Sequence, residues 1–518
     1  MRFFNTAGPC DPSMHYMLPP ERRLPGVRRL IEQNHYFVLH APRQTGKTTS
    51  VRAFARALTD ERRFAALVAT CEEGQATKGL EDGIAVVLNA IRLAAIKGLP
   101  EELRPPEENA SITAGGRLHD LLARWSLACP RPIVLFLDEI DALLDDLLIS
   151  VLRQLRSGYP DRPGSFPQSA ALIGLRDVRD YRIRLRSDAE SLGTSSPFNI
   201  KVESLTLRNF TAEEVAELYD QHTTETGQAF TEDSKALAFH LTRGQPWLVN
   251  ALARQAVEVL VPDPSLPVEA SHIERAKEIL IERRDTHLDS LIDRLREPRV
   301  RRILEPILAG EFLAPEVLDD DIKFVEDLGL VARSAGLEIA NPIYREIIPR
   351  ALTAVTQRSL PLGRPSFLKD DGTLDIEALL DEFRRFWCQH AEHFLDRQPY
   401  SEAAAQLIFM AYLQRVVNGG GFIDREYAVG SGRIDLCVRW PHSKGMQRWA
   451  VELKVWRDNR PDPLTDGLEQ LAEYLDRLEL NGGTLILFDL RTQAPPLPER
   501  CSQSEVEHRG RLIGVVRL

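Results

Sequence analysis

The chain has 518 residues, 43% of them hydrophobic and 27% charged, and a formal net charge of −11. That length exceeds what one hydrophobic core supports and predicts roughly three or four domains of ordinary globular composition. The acidic balance excludes a generally basic nucleic-acid coat, so any such contact must come from local patches.

The first informative stretch is Tyr36-Phe-Val-Leu-His-Ala-Pro-Arg-Gln-Thr-Gly-Lys-Thr-Thr49. Phe37-Val38-Leu39 predict a strand that stops at a loop, and Ser50 to Leu58 predict a helix behind it. Ala41 to Thr48 fit the phosphate-loop pattern G-x-x-x-x-G-K-[ST] except at the first glycine, which is Ala41. Alanine tolerates right-handed but not left-handed backbone, so an altered start to the loop is expected. The spacing makes Arg43, Gln44, Thr45, Gly46, Lys47, Thr48 and Thr49 the nucleotide-binding candidates. Gly46 permits close backbone approach, Lys47 reaches the β/γ-phosphates, and the Thr48 hydroxyl sits on Mg²⁺. Pro132-Ile-Val-Leu-Phe-Leu-Asp-Glu139 is a second unbroken apolar run, ending in two acids. Asp138 would hold the Mg²⁺ shell and Glu139 would polarise the attacking water.

Residues 1–205 alternate strand and helix signals, with further strands predicted at Ala65–Thr70, Ala170–Gly174 and Ile200–Val202. Arg176, just past the fourth of these strands, is either a phosphate sensor or a solvated surface arginine. Residues 206–284 read as helices, with Phe210-Thr-Ala-Glu-Glu as a capped start. Gly83 to Leu99 is the most apolar helical stretch and is interrupted by Arg92 and Lys97, so no membrane span is expected. The start Met1-Arg-Phe-Phe has no apolar leader, and the six cysteines show no C-x-x-C spacing. A cytoplasmic location without zinc or disulfides follows as the expectation.

Pro42 to Thr48, Asp138-Glu139, Gly174-Leu-Arg-Asp177 and Gly244-Gln-Pro-Trp-Leu-Val249 together resemble the AAA-like ATPases near the STAND class, over roughly residues 1–350. The resemblance implies ATP as the nucleotide, a P-loop αβα sandwich with a helical lid, and homo-oligomers through the ATPase domain as one arrangement. It also implies that the turn at Gly244 and Pro246 reports nucleotide state, although a plain helix-breaking turn gives the same residues.

Residues 285–355 contain an arginine-rich helix, Arg294 to Arg302, then a helix, a turn at Gly329 and two short strands around 334–336. That order resembles a winged helix, which in such proteins either touches DNA or serves as a spacer; acids 319–321 ahead of the last helix disfavour groove entry. Residues 356–373 lack periodicity and read as a linker.

Residues 374–518 hold a second constellation. Asp435 lies on Gly430-Ser-Gly-Arg-Ile-Asp-Leu-Cys-Val438, and Glu452 and Lys454 lie on Trp449-Ala-Val-Glu-Leu-Lys-Val455. Alternation puts Glu452 and Lys454 on one face and Leu453 toward the core. If the two strands pair antiparallel through 441–448, Asp435 joins that face. Hard oxygen ligands suit Mg²⁺ or Mn²⁺, and a lysine can orient or deprotonate a metal-bound water. Gln470 and Tyr474 follow at i and i+4 of a predicted helix.

Asp435, Glu452-Leu-Lys454 and Gln470-x-x-x-Tyr474 resemble the PD-(D/E)XK nuclease superfamily and, by the last pair, its RecB-like branch, over about residues 374–495. The resemblance implies a restriction-endonuclease-like α/β domain and a nucleic-acid partner, DNA before RNA. It makes Asp435 and Glu452 metal ligands and Lys454 the assistant to the nucleophile, with Gln470 and Tyr474 in supporting roles. Glu402 is either a third metal carboxylate or an N-terminal helix acid. The whole chain therefore reads as an α/β multidomain ATP-hydrolysing switch that controls a nuclease, a pairing compatible with defence against foreign nucleic acid. The alternatives are a nucleotide-switched binding or scaffold protein with an inert C-terminal domain, and a targeting ATPase of a mobile element.

Overall fold

The computed structural model describes residues 1–77, 79–109, 111–143, 145–175, 201–283, 291–309, 318–333, 336–352, 367–395, 403–417, 421–428 and 433–518. The chain divides into two units, Met1–Glu278 with Asp327–Gly329, and Ile279–Glu326 with Leu330–Leu518.

The first unit is built on a parallel five-stranded sheet. Its strands are β1 (Tyr36–His40), β2 (Ala65–Thr70), β3 (Ile133–Asp138), β4 (Ser169–Gly174) and β5 (Lys201–Thr206), in the order β2-β3-β4-β1-β5. All residues of β1, β3 and β4 are buried, as expected of strands covered on both faces. Alternation sends Tyr36 and Val38 into one core and Phe37 and Leu39 into another. The expected strands all form. The third begins at Ile133 rather than Pro132, because proline has no N–H for the ladder. The fifth, expected at 200–202, is described from Lys201 and runs on to Thr206.

Helices Ala212–Thr226, Glu232–Thr242, Pro246–Gln255 and Ala270–Arg283 follow. The first starts in a capping box: Glu214 N donates to Thr211 Oγ1 at 3.2 Å, and Thr211 N donates to Glu214 Oε2 at 2.9 Å. Such a cap stabilises a helix by about 1 kcal/mol.

In the second unit the predicted arginine-rich helix is interrupted. The helix begins at Pro298 and runs to Ala309, with a non-helical break at 295–297. Proline disfavours helical backbone in the residue before it and itself suits the first turn. The acids 319–321 do not precede the next helix but form the first turn of Asp319–Asp327, where they complement the helix dipole. The turn at Gly329 (φ 75°) leads into β6 (Val331–Arg333) and β7 (Leu337–Ile339), an antiparallel pair, and then to the helix Pro342–Leu352.

The C-terminal sheet has six strands: β8 (Phe422–Ala428), β9 (Arg433–His442), β10 (Gly445–Trp456), β11 (Gly482–Asp489), β12 (Ser502–His508) and β13 (Arg511–Arg517). Their order is β12-β13-β11-β10-β9-β8. β10 pairs antiparallel with β9 and parallel with β11. Helix Leu464–Leu478 covers one face, packing Leu468, Leu471 and Leu475 against Ala450, Leu485 and Leu487. Helix Ala404–Val417 packs beside β8 and β10, and its residues Leu407 to Ala411 are all buried. No helix among the described residues is long and apolar enough to cross a membrane.

Candidate active sites

The phosphate loop leaves β1 in the interior of the sheet, where neighbouring parallel strands end side by side and the helix Lys47–Asp60 begins. Ligands of open α/β sheets bind at that edge, and the helix N-terminus adds converging N–H groups. Left-handed backbone falls on Gln44 (φ 59°) and Gly46 (φ 84°), and Ala41 is buried without it. Ala41 therefore sits where the backbone is one that alanine tolerates. The turn that needs glycine is at Gly46, where an added Cβ would meet no atom within 4 Å, so backbone conformation rather than space selects glycine.

Lys47 Nζ donates to the carbonyls of Ala41 at 2.5 Å and Pro42 at 2.8 Å. Burial pushes its ammonium down to about 8, against the pull of Asp138, Asp141 and Glu139. Thr48 Oγ1 donates to Asp138 Oδ2 at 2.6 Å. That hydroxyl–carboxylate pair is an all-oxygen donor set that fits Mg²⁺, and Lys47 and the helix N-terminus are suited to phosphate.

Glu139 is exposed at the end of β3 with left-handed backbone (φ 54°). For a side chain other than glycine that conformation costs about 1–2 kcal/mol. Partial burial, then Glu72, Asp138 and Asp141, push its carboxyl above the usual range. A carboxylate placed there, beside Asp138, is suited to steering a water.

The remaining loop residues divide by what they touch. Thr45 is buried and its hydroxyl donates to Pro42 O at 2.9 Å, so it braces the loop. Thr49 Oγ1 accepts from Cys10 N at 3.0 Å. Arg43 and Gln44 are exposed. Arg176 lies outside the described residues.

Two loop partners escaped the sequence reading. Arg23, 4% exposed, donates to the carbonyls of Thr45 at 3.0 Å and Arg208 at 2.8 Å, and burial pushes its guanidinium down to about 10. Gln245, in the Gly244-Gln-Pro turn, caps its own helix by accepting from Leu248 N at 2.6 Å and donates to Gln44 O at 3.4 Å. No local pattern announces either one, because each bonds to a carbonyl distant in sequence.

In the C-terminal sheet, β9 and β10 pair so that Asp435 stands directly opposite Glu452, the antiparallel arrangement on which their convergence depended. Directly opposed positions share one face of the sheet. Glu452 is fully buried and Lys454 is 5% exposed, with Lys454 Nζ 2.9 Å from Glu452 Oε1. Leu453 is equally buried, so the expected division into a site face and a core face is incomplete: the middle of β10 is covered on both sides.

Gly467 lets helix Leu464–Leu478 come close, since a Cβ there would lie 2.7 Å from Leu485 Cδ1 and 3.2 Å from Lys454 Cγ. One turn on, Gln470 accepts a hydrogen bond from Lys454 Nζ. Tyr474 parts company with Gln470. It is 2% exposed, belongs to the core cluster with Leu471 and Leu475, and carries the Arg477 guanidinium 5.1 Å from its ring. Among the described side chains, Glu452 represents the expected metal set, with Asp435 placed by its backbone and Glu402 outside the described residues. Carboxylates beside a lysine fit a hard divalent cation such as Mg²⁺ or Mn²⁺.

Residues 27–163 match the AAA ATPase domain family and residues 400–487 match the PD-(D/E)XK nuclease superfamily. No curated protein matches the chain. Similar solved structures include the Walker-type ATPase PABY2304 of Pyrococcus abyssi, at 16% identity, covering 67% of this chain and 99% of that one, with a TM-score of 0.47. They also include the RuvB Holliday junction branch migration motor of Thermotoga maritima, at 14% identity, covering 63% and 92% of the two chains, with a TM-score of 0.34.

Proposed function

The chain joins an AAA ATPase domain to a PD-(D/E)XK nuclease-superfamily domain, and from that pairing we propose that it is an ATP-switched, divalent-metal-dependent nuclease. The observation that carries the nuclease half is the register of Asp435 against Glu452 beside a buried lysine that binds both Glu452 and Gln470. In this reading Asp435 and Glu452, with Glu402, hold Mg²⁺ or Mn²⁺, which supplies charge to stabilise the phosphorane-like oxygens of the transition state. Lys454 orients the attacking water and Gln470 positions Lys454. Tyr474 fixes the covering helix through packing.

In the ATPase half, Lys47 and the loop N–H groups bind phosphate, Thr48 and Asp138 hold Mg²⁺, and Glu139 orients water. Gln245 ties the helical segment to the loop through Gln44. We divide the chain into an ATPase core (1–205), lid (206–284), winged-helix-like module (285–355), linker (356–373) and nuclease-like domain (374–518). Six free cysteines suit a reducing, cytoplasmic setting.

The test is incubation of pure protein with single- and double-stranded DNA and RNA, with Mg²⁺ or Mn²⁺ and with or without ATP, beside Asp435→Ala and Lys454→Ala. Cleavage by either variant should fall about a hundredfold or more. Equal cutting by the variants, or no cutting by the parent on any substrate, rejects the nuclease reading.

A further inference from the structure

We propose that Arg23 is a positioning residue for nucleotide phosphate, acting through the backbone of the phosphate loop. The inference deepens the ATP-binding reading above and rests on it. Arg23 closes the short helix Pro20–Arg23, ahead of β1, and is 4% exposed. Its guanidinium donates to Thr45 O at 3.0 Å and to Arg208 O at 2.8 Å, and stands 4.6 Å from the centre of the Phe210 ring. In a trans peptide the C=O of one residue and the N–H of the next point in opposite directions. Holding the Thr45 carbonyl toward Arg23 therefore turns the Gly46 N–H away from Arg23. There the left-handed backbone of Gly46 (φ 84°, ψ 21°) opens helix Lys47–Asp60. Successive N–H groups in such a turn form a concavity that binds anions, and Arg23 fixes the orientation of one of them.

The charge of Arg23 points the same way. Its two bonds go to carbonyls, and among the described residues no carboxylate forms an ion pair with it. Glu214, which favours its charge from further off, is itself bound by Arg208, whose guanidinium donates to both carboxylate oxygens at 2.6 and 2.8 Å. A buried cation without a paired anion is costly to keep. Phosphate held by the same loop is an anion that offsets that cost. The second carbonyl gives the residue a further reach, since Arg208 follows β5 and precedes the capping box at Thr211. One guanidinium thus fastens the loop and the chain leading into helix Ala212–Thr226 together, a task for a planar fork rather than a point charge.

Calorimetric titration of the full chain with MgADP tests this apart from turnover. Arg23→Met removes the donors and keeps an apolar stem beside Phe210, whereas Arg23→Lys keeps the charge and loses the fork. A hydrogen bond from a charged group corresponds to about ten- to a hundredfold in an equilibrium. Arg23→Met should therefore weaken MgADP binding at least about tenfold, with Arg23→Lys between it and the parent. In steady-state ATP hydrolysis the KM should rise by a similar factor while kcat stays near the parental value, because the loop holds phosphate alike in the ground and transition states. A residue that only supports the fold would instead lower kcat, through a smaller active fraction, at unchanged KM. That pattern overturns the proposal, and so does MgADP affinity in Arg23→Met equal to the parent's. Should Arg23→Met fail to fold, Arg23→Lys decides alone: it must bind MgADP more weakly than the parent, and parental binding refutes the inference. If the parent binds MgADP and Lys47→Ala does not, the nucleotide reading stands whatever Arg23 shows. If the parent itself binds no MgADP, both fall.

Discussion

Gly244 offers a measurement of how tightly the lid turn is built. Its φ is 72°, and a Cβ there would lie 1.9 Å from the carbonyl oxygen of Phe210 and 2.8 Å from its carbon. Phe210 N donates to Gly244 O at 2.8 Å, so the two backbones cannot separate without breaking that bond. Gly244→Ala therefore combines a left-handed backbone cost of about 1–2 kcal/mol with the loss of a buried hydrogen bond of about 1 kcal/mol. The sum, about 2–3 kcal/mol, predicts that amide protection across Leu248 to Gln255 falls about 30- to 150-fold in hydrogen exchange. Gly227 is the control. Its φ is 82° but nothing lies within 4 Å of an added Cβ, so Gly227→Ala should show the backbone cost alone. Because Gln245 donates to Gln44 O, Gly244→Ala should also raise the ATP concentration needed for half-maximal turnover. Equal loss of protection in the two variants would refute the close-approach argument.

Further outcomes follow from the same geometry. Gln470→Ala removes the acceptor that holds Lys454, so cleavage should slow roughly tenfold while calorimetric Mn²⁺ affinity stays at the parental value. Arg425 is buried, donates to Gln414 at 2.7 Å and lies 3.8 Å from Glu346, which also accepts from Arg350 at 2.8 Å. Arg425→Ala should destabilise the second unit by about 3–5 kcal/mol, seen as a lowered thermal transition, and an unchanged transition contradicts this. His222 is buried against Tyr16 and Gln228, and burial holds its pKa below the ordinary histidine value. The unfolded chain then binds the extra proton, so stability is lost as pH falls below about 6.5. His222→Gln should flatten that loss in melting curves taken between about pH 7.5 and 5.5.

The sheet of the first unit was legible because β1, β2 and β3 are apolar runs that end at a loop, an acid or a proline, and parallel strands covered on both faces leave that signature. The positions of Lys47 and Thr48 were legible from the short spacing of the phosphate loop, and that of Asp138 from the acid that ends an unbroken apolar strand. Arg23 and Gln245 were not, since each bonds a backbone carbonyl far away in sequence, and a carbonyl has no residue type to read. The helix assumed across Arg294–Arg302 failed at Pro298, a local signal outweighed by the arginine pattern. In the C-terminal domain the pairing of Asp435 with Glu452 followed from a hairpin length. Tyr474 was grouped with Gln470 by helical spacing, yet positions at i and i+4 diverge when one side chain meets a lysine and the other a leucine core.

The central claim is that nucleotide state governs metal-dependent cleavage. Its most direct test is the cleavage rate of pure protein in Mg²⁺, with and without ATP, for the parent, Lys47→Ala and Glu139→Gln. ATP should change the parental rate, Glu139→Gln should hold the ATP-bound rate without turnover, and Lys47→Ala should not respond to ATP. One common rate for all three proteins, with or without ATP, would contradict it.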